Sequence, residues 1–163
     1  MLRDPNLIPL SRQHQHALAL CVRIHRAALS NPAEVKAWQL EIQQHFDQEI
    51  RFHFAAEEAH LFPAARQYPA LVPLVDELLA EHQQLRQYFT QASAARLDGE
   101  GVRRFAETLS GHIRKEERQL FEELQKCMAP EALEDIGRQI DHVLAGAPQA
   151  CITPTESVLK NPD

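Results

Sequence analysis

Two stretches of the chain read alike: HFAAEEAHLF at residues 53–62 and HIRKEERQLF at residues 112–121. Five of the ten aligned positions are identical, and both copies keep the spacing His-x-x-x-Glu-Glu-x-x-Leu-Phe. A second pair of segments precedes them, LSRQH at 10–14 and LLAEH at 78–82, each with a leucine four residues before a histidine. The chain therefore contains an internal duplication, in which each half has a histidine segment followed by a His-x-x-x-Glu segment.

Glycine and proline cluster between four long segments in which apolar residues recur at three- and four-residue spacing. We expect Ser11 to cap the first helix and Pro63 to end or kink the second. The predicted helices cover roughly residues 11–29, 32–66, 70–96, 101–129 and 131–144. This pattern predicts an all-α fold, an up-and-down antiparallel four-helix bundle with a short fifth helix over residues 8–146, and an extended tail over residues 147–163.

Composition narrows the class of protein. The 163 residues suffice for one domain with its own core, and the net charge of -6 would repel nucleic-acid phosphates and anionic lipid surfaces. No stretch approaches the roughly 20 apolar residues of a membrane span, and the first residues lack the apolar region of a secretory leader. Three widely spaced cysteines indicate neither a disulfide framework nor a thiolate zinc site. We therefore expect a cytoplasmic protein without a nucleic-acid or membrane partner.

Helical phase predicts which polar residues face the core. On the first helix His14 lies within the apolar stripe, whereas the alternative, His16, lies on the arginine-rich side, because residues two apart on a helix face away from each other. In the repeated motif Glu57 lies on the apolar face and Glu58 is rotated by about 100° toward its edge. The residues predicted on core faces are His14, His53, Glu57, His82, His112 and Glu116.

Four imidazoles and two carboxylates are costly to bury together unless cations compensate for the lost hydration. A histidine and a glutamate four residues apart are neighbours on a helix, so each pair can chelate one ion. The set is too rich in nitrogen for calcium or magnesium and too large for one tetrahedral zinc ion. It suits two iron ions bridged by glutamates, a diiron-oxo centre with positions left for solvent or dioxygen.

The remaining histidines are expected to play smaller parts. His45 and Glu49 also have His-x-x-x-Glu spacing, but their segment has no second copy and is expected on the flank of its helix. His60 and His25 fall near inward faces, a turn or more from the predicted ligands. We expect these two histidines to lie beside the ligands or in a pocket.

At these residues the chain resembles the hemerythrin-like HHE cation-binding domain family, over roughly residues 8–128. The resemblance implies a diiron four-helix bundle with the same six residues as iron ligands. Oxygen-carrying hemerythrins add a His-x-x-x-His pair on the third helix, whereas here His82 is followed by Arg86. The cysteine-rich N-terminal segment typical of the bacterial iron-cluster repair proteins is not present in this sequence either.

Three functions follow from this interpretation. The first is a non-haem diiron protein that binds or reacts with dioxygen, peroxide or nitric oxide, or that holds iron. The second is a metal-dependent sensor or scaffold that signals iron or oxygen status to a protein partner. The third is a ferritin-like iron oxidase, which needs Glu-x-x-His on two helices. Glu57 and His60 provide one such pair, but Gln119 stands where the second histidine is needed.

Overall fold

The computed structural model describes residues 2–147, and within this range the chain is helical and has no β-strand. The five helices are α1 (Ile8–Arg26), α2 (residues 32–65), α3 (Val72–Ser93), α4 (residues 99–127) and α5 (Pro130–Leu144). α2 consists of Pro32–His45, Arg51–Ala56 and Phe62–Ala65, joined by the π-helical turns Phe46–Ile50 and Glu57–Leu61. α4 consists of Gly99–Lys115 and Phe121–Cys127, joined by the π-helical turn Glu116–Leu120.

The four long helices form an up-and-down antiparallel bundle. Arg23, late in α1, binds Glu41, early in α2, whereas His14, early in α1, contacts His53, late in α2. α2 and α3 are also antiparallel, since Gln39 accepts a hydrogen bond from Leu97 at one end and Arg66 pairs with Asp76 at the other. The same holds for α3 and α4, where Tyr88 contacts Phe105 and Glu77 pairs with Lys115, and α1 packs along α4. The predicted all-α bundle with a fifth helix is confirmed. Residues 148–163, most of the predicted tail, lie outside the described residues.

The predicted helix ends are partly wrong. α1 begins at Ile8, so Ser11 lies inside the helix and does not cap it. Pro9 occupies the first turn, where the missing N–H of proline leaves no bond unmade. α4 begins at Gly99, because the Asp98 side chain accepts a hydrogen bond of 2.7 Å from the backbone N–H of Gly101 and caps the helix.

Two apolar clusters fill the two ends of the bundle. One contains Phe54 and Phe105, and the other contains Phe62 and Phe121. On each long helix the buried histidine or His-x-x-x-Glu pair named above lies where the positions of one cluster give way to those of the other. The core is therefore divided by a polar layer at mid-height. No helix within residues 2–147 combines the length and apolar character that crossing a membrane requires.

α5 packs against α2 and the first residues of the chain. It contacts Arg51–Ala56, Glu57–Leu61 and the short 3-10 turn Pro5–Leu7. Gly137 allows this close approach, since a Cβ built on it would lie 2.7 Å from both Cβ and Oδ1 of Asn6. The fifth helix thus covers the part of α2 that carries half of the repeated motif.

This packing predicts opposite effects for two glycine-to-alanine substitutions in helices. Gly137→Ala should cost about 1–3 kcal/mol because the new methyl group clashes with Asn6. Gly111→Ala should add about 1 kcal/mol, because a Cβ at Gly111 meets no atom within 4 Å and alanine is the better helix former. Urea unfolding monitored by circular dichroism measures both. Equal effects of the two substitutions would contradict the packing of α5.

Candidate metal centre

All six residues predicted to face the core are buried in the polar layer. Their exposed fractions range from 0% for Glu57, His82 and Glu116 to 4% for His53. Each of the four long helices contributes to the layer, with one histidine from α1, one from α3, and a His-x-x-x-Glu pair from each of α2 and α4. The two halves of the duplicated sequence thus meet at the centre of the bundle.

Within residues 2–147, four potential ligand atoms lie within 4.8 Å of one another in each of two groups. The groups are His14, His53, Glu57 and Glu116, and Glu57, His82, His112 and Glu116. Both glutamates belong to both groups. One oxygen of Glu116 lies 3.1 Å from His14 Nε2 and the other lies 3.2 Å from His112 Nε2, so this carboxylate connects the two groups. Glu57 makes the equivalent contacts with His53 and His82, at 3.1 and 3.4 Å.

The hydrogen bonds of the histidines show which ring nitrogens face the centre with a lone pair. Nδ1 of His14 lies 2.7 Å from a Glu117 oxygen, and Nδ1 of His82 lies 2.7 Å from a Glu58 oxygen. A carboxylate only accepts hydrogen bonds, so each Nδ1 carries the proton and donates it. Nε2 of a neutral ring is then a bare acceptor. His14 Nε2 nevertheless lies 2.9 Å from His53 Nε2.

When the rings are neutral, four imidazole Nε2 atoms and four carboxylate oxygens therefore converge with no proton between them. The second histidine pair, His82 and His112, repeats the close contact, with 3.1 Å between the Nε2 atoms. The oxygens of Glu57 and Glu116 are buried and make no well-directed hydrogen bond, although histidines lie within ion-pair distance. Buried carboxylates without partners are strongly unfavourable. The donor set fits cations placed between the nitrogens and the oxygens.

Without a cation, protons take its place. Burial alone would lower the pKa of His14 and His112, but the Glu116 carboxylate outweighs it and raises the pKa of His14 to about 9 and that of His112 to about 10. Burial also lowers the pKa of His82 and the Glu57 carboxylate raises it. The net result is a raised pKa. Conversely, the imidazoles hold the pKa of Glu116 well below its ordinary value despite its burial. The two buried carboxylates therefore favour positive charge at the centre of the bundle.

A ring of partners outside the six residues orients the imidazoles, and helical phase alone did not predict these contacts. Glu117 and Glu58 accept from His14 and His82, while Gln13 and Glu81 accept from His53 and His112 at 2.9 and 3.0 Å. Such partners fix the ring tautomer and raise the basicity of a metal-binding histidine. The sequence does contain a signal for them. They are the second glutamate of each motif and the residue before the first histidine of each half.

Burial distinguishes the other histidines from the central ones. His16, the alternative on α1, is 64% exposed at its side chain and contacts Glu49. His25 is exposed, so its predicted inward position is wrong, since α1 ends one residue later. His45, expected on the flank, is buried, and that burial lowers its pKa to about 4.

His60 lies in a surface cleft beside Asp135, Arg138 and His142 of α5, away from the centre. The reason is the π-helical turn that begins at Glu57. A π turn has more residues per turn than an α-helix, so residues after Glu57 rotate less than ideal helical phase assumes. An equivalent turn begins at Glu116, and both leave the preceding His-x-x-x-Glu spacing intact. Neither turn was predicted from the sequence.

A narrow cleft, mostly apolar, reaches the centre from one side. Ala17, Ile50 and Leu109 contribute to its wall, together with His14 and His53 of the polar layer. The buried ring of His45 also lines it. The cleft is small, and its volume of about 10 Å³ leaves room for about one water-sized molecule beside the polar layer.

Comparison with known protein families agrees with this arrangement. The hemerythrin HHE cation-binding domain profile matches residues 9–124, which include all six central residues. Neither a curated protein nor a solved structure gave a significant match to the chain. Because the matched range covers well over half of the sequence, the chain belongs to the hemerythrin HHE cation-binding domain family.

Proposed function

We propose that residues 8–146 form one domain that holds two iron ions at the polar layer. The observation that carries this proposal is the pair of overlapping four-residue groups, in which two buried carboxylates are shared. Two ions of charge at least +2 would compensate both carboxylates and separate the facing imidazole nitrogens. The proposed ligands are His14 and His53 for one ion, His82 and His112 for the other, and Glu57 and Glu116 for both.

The proposed activity is to bind or react with dioxygen, peroxide or nitric oxide, or to hold iron. The narrow, mostly apolar cleft that His14 and His53 help to line supports a small uncharged molecule as the partner. Bound iron would supply the redox chemistry. The chain's own residues hold the imidazole rings by their Nδ1–H groups and keep the surroundings of the site dry.

The test of this function compares two histidines of α1, one buried and one exposed. Protein expressed with abundant iron is expected to contain two iron ions per chain, and its absorption spectrum should respond to dioxygen or nitric oxide. His14→Ala should lose iron because it removes a ligand, whereas His16→Ala is the matched control on the same helix and should keep it. Iron analysis and absorption spectroscopy measure both. Iron content far below two in the unaltered protein would refute the proposal.

A sensor role is the second candidate, and the position of α5 favours it. α5 packs on Glu57–Leu61, the π-helical turn that begins at a proposed bridging glutamate. A change in the charge or position of Glu57 on metal binding therefore has a direct contact through which to reach α5. Hydrogen exchange of α5 amides in metal-free and iron-loaded protein tests this role. Identical exchange in the two forms would exclude signalling through α5.

The arrangement gives no support to a ferritin-like oxidase. Such a site needs His60 beside Glu57 at the centre, but His60 lines the cleft next to α5. Gln119 supplies no histidine on the other motif. The two-ion site with four histidines is therefore the proposal we retain.

A further inference from the structure

We propose that the two metal positions are unequal, and that the position at His82 and His112 binds its ion more tightly than the position at His14 and His53. This inference rests on the proposed two-ion function. It concerns the residues behind the ligands, which differ between the two halves of the duplicated chain.

The ligand atoms themselves are arranged almost identically in the two halves. The carboxylate contacts of the two i,i+4 pairs are 3.1 Å for His53 and 3.2 Å for His112. The contacts between facing Nε2 atoms are 2.9 and 3.1 Å, and the carboxylate contacts of the other two histidines are 3.1 Å for His14 and 3.4 Å for His82. The two positions therefore have the same ligand types at nearly the same spacing, and any difference in affinity must come from elsewhere.

The residues that accept a hydrogen bond from the histidine Nδ1 atoms can be compared between the two halves of the repeat. One pair of acceptors is identical and the other pair differs. Glu117 behind His14 corresponds to Glu58 behind His82, and both contacts measure 2.7 Å. In the other pair, the neutral amide oxygen of Gln13 accepts from His53 at 2.9 Å, whereas a Glu81 carboxylate oxygen accepts from His112 at 3.0 Å. Gln13 and Glu81 occupy the same place in the repeat, one residue before the first histidine of each half.

A carboxylate accepts a stronger hydrogen bond from an imidazole N–H than an amide does, because it carries a full charge. It draws the proton away from the ring and makes Nε2 a better metal ligand. The position at His82 and His112 has a carboxylate behind both rings. The position at His14 and His53 has only one, behind His14.

The cations around these carboxylates do not cancel the difference. Arg3 pairs with Glu117 and Arg86 pairs with Glu58, so one arginine neutralises each of the corresponding carboxylates. Glu81 pairs with Lys115, but Lys115 also pairs with Glu77. Two carboxylates share this one ammonium group, and a negative charge is left over on the side of His112.

The narrow cleft affects how fast the two ions exchange, and it does not change their affinities. It is lined by His14, His53 and Gln13, whereas His112 is its one contribution from the other histidine pair. The less strongly supported position is thus the one that the cleft reaches. We expect it to fill second and to exchange its ion first.

The test is a calorimetric titration of metal-free protein with Co²⁺ under anaerobic conditions. The unaltered protein should bind two ions in separate steps whose affinities differ by about 10-fold or more, the range that partners of ligands usually control. Gln13→Glu should tighten the weaker step and Glu81→Gln should weaken the tighter one, so each closes the gap. The double variant with Gln13→Glu and Glu81→Gln should restore the gap between the two affinities, with the order of the positions reversed. Gln15→Glu, which adds the same charge on the exposed side of α1, should change neither step.

The outcomes separate this inference from the proposed function. Fewer than two bound ions in the unaltered protein would refute the two-ion site itself. Two bound ions of equal affinity would leave the site standing and refute the inequality. Unequal affinities that do not respond to Gln13→Glu or Glu81→Gln would refute the assignment of the inequality to these two residues. Circular dichroism of each variant verifies that the bundle is folded before the titration is read.

Discussion

Glu116→Gln is expected to abolish tight binding of both iron ions, because Glu116 belongs to both ligand groups. Its two oxygens face His14 and His112, one from each histidine pair, at 3.1 and 3.2 Å. Glutamine keeps the shape but replaces a charged oxygen by an amide N–H₂ group that cannot bind a cation. The loss should exceed the about 10- to 100-fold that removing an outer partner costs. Iron analysis after gel filtration should give well under one ion per chain.

Glu41→Gln is the matched control for this experiment. Glu41 is also a fully buried glutamate, but it pairs with Arg23 at the far end of α1 and α2. Removing its charge should destabilise the bundle without removing a ligand, so iron content should stay near two. If Glu116→Gln kept both ions at unaltered affinity, the bridging role of Glu116 would be wrong. If both variants lost iron equally, the loss would reflect the fold and not the ligand.

Metal-free protein is expected to lose stability as pH rises above about 6.5. Burial alone would lower the pKa of His14, but Glu116 and Glu117 outweigh it and raise the pKa from 6.5 to about 9 in the folded state. A raised histidine pKa adds stability that is complete below the unfolded value and is lost as pH climbs through the folded one. One pKa unit corresponds to about 1.4 kcal/mol, so His14 contributes on the order of 3 kcal/mol. His112, with a pKa of about 10, acts in the same direction.

The carboxylates determine how the stability of metal-free protein changes at acid pH. The pKa of Glu116 is held well below its ordinary 4.5, because the neighbouring His112 and His14 imidazoles outweigh the effect of burial. Its contribution is present above 4.5 and disappears as pH falls below that value. Metal-free protein should therefore be most stable between about pH 4.5 and 6.5.

Urea unfolding of chelator-treated and iron-loaded protein, at about pH 6 and about pH 9, measures the alkaline effect. In iron-loaded protein the cations replace the imidazolium protons, so the alkaline loss should be absent. Metal-free Glu116→Gln serves as the control, because it lacks the carboxylate that raises both histidine pKa values, and its alkaline loss should be smaller. A flat profile for the unaltered metal-free protein would contradict the proposed charge balance at the centre.

Much of the fold followed from local patterns in the sequence. Apolar spacing predicted the five helices, and their main errors lie at the ends, as at Ser11, where capping and proline chemistry compete. Helical phase placed His14 inside and His16 outside, because a 200° difference in direction survives small errors in the angle. It also separated Glu57, which is fully buried, from the partly exposed Glu58.

Phase reasoning failed where the helix departed from ideal geometry or ended. His60 was expected beside the ligands or in a pocket. It lines a surface cleft next to α5, because the π-helical turn that begins at Glu57 rotates it away from the centre. His25 follows the apolar stripe of α1 but lies one residue from the end of the helix and is exposed. His45 was expected on the flank and is buried beside the cleft. The burial of His45 depends on neighbouring helices, whereas the positions of His60 and His25 depend on a π-helical turn and on a helix end. Apolar spacing describes none of these features.

The sequence by itself determined the duplicated motif, the helical class and the inward faces, because these depend on residue type and on the period of one helix. Only the tertiary structure decided which residue stands behind each imidazole. Gln13 and Glu81 are equivalent in the repeat and lie on α1 and α3, but they accept hydrogen bonds from histidines of α2 and α4. Such partners are chosen by contacts between helices, and hydrogen bonding acts only over about 3 Å. The difference between an amide and a carboxylate at the two metal positions therefore became visible only once the bundle was assembled.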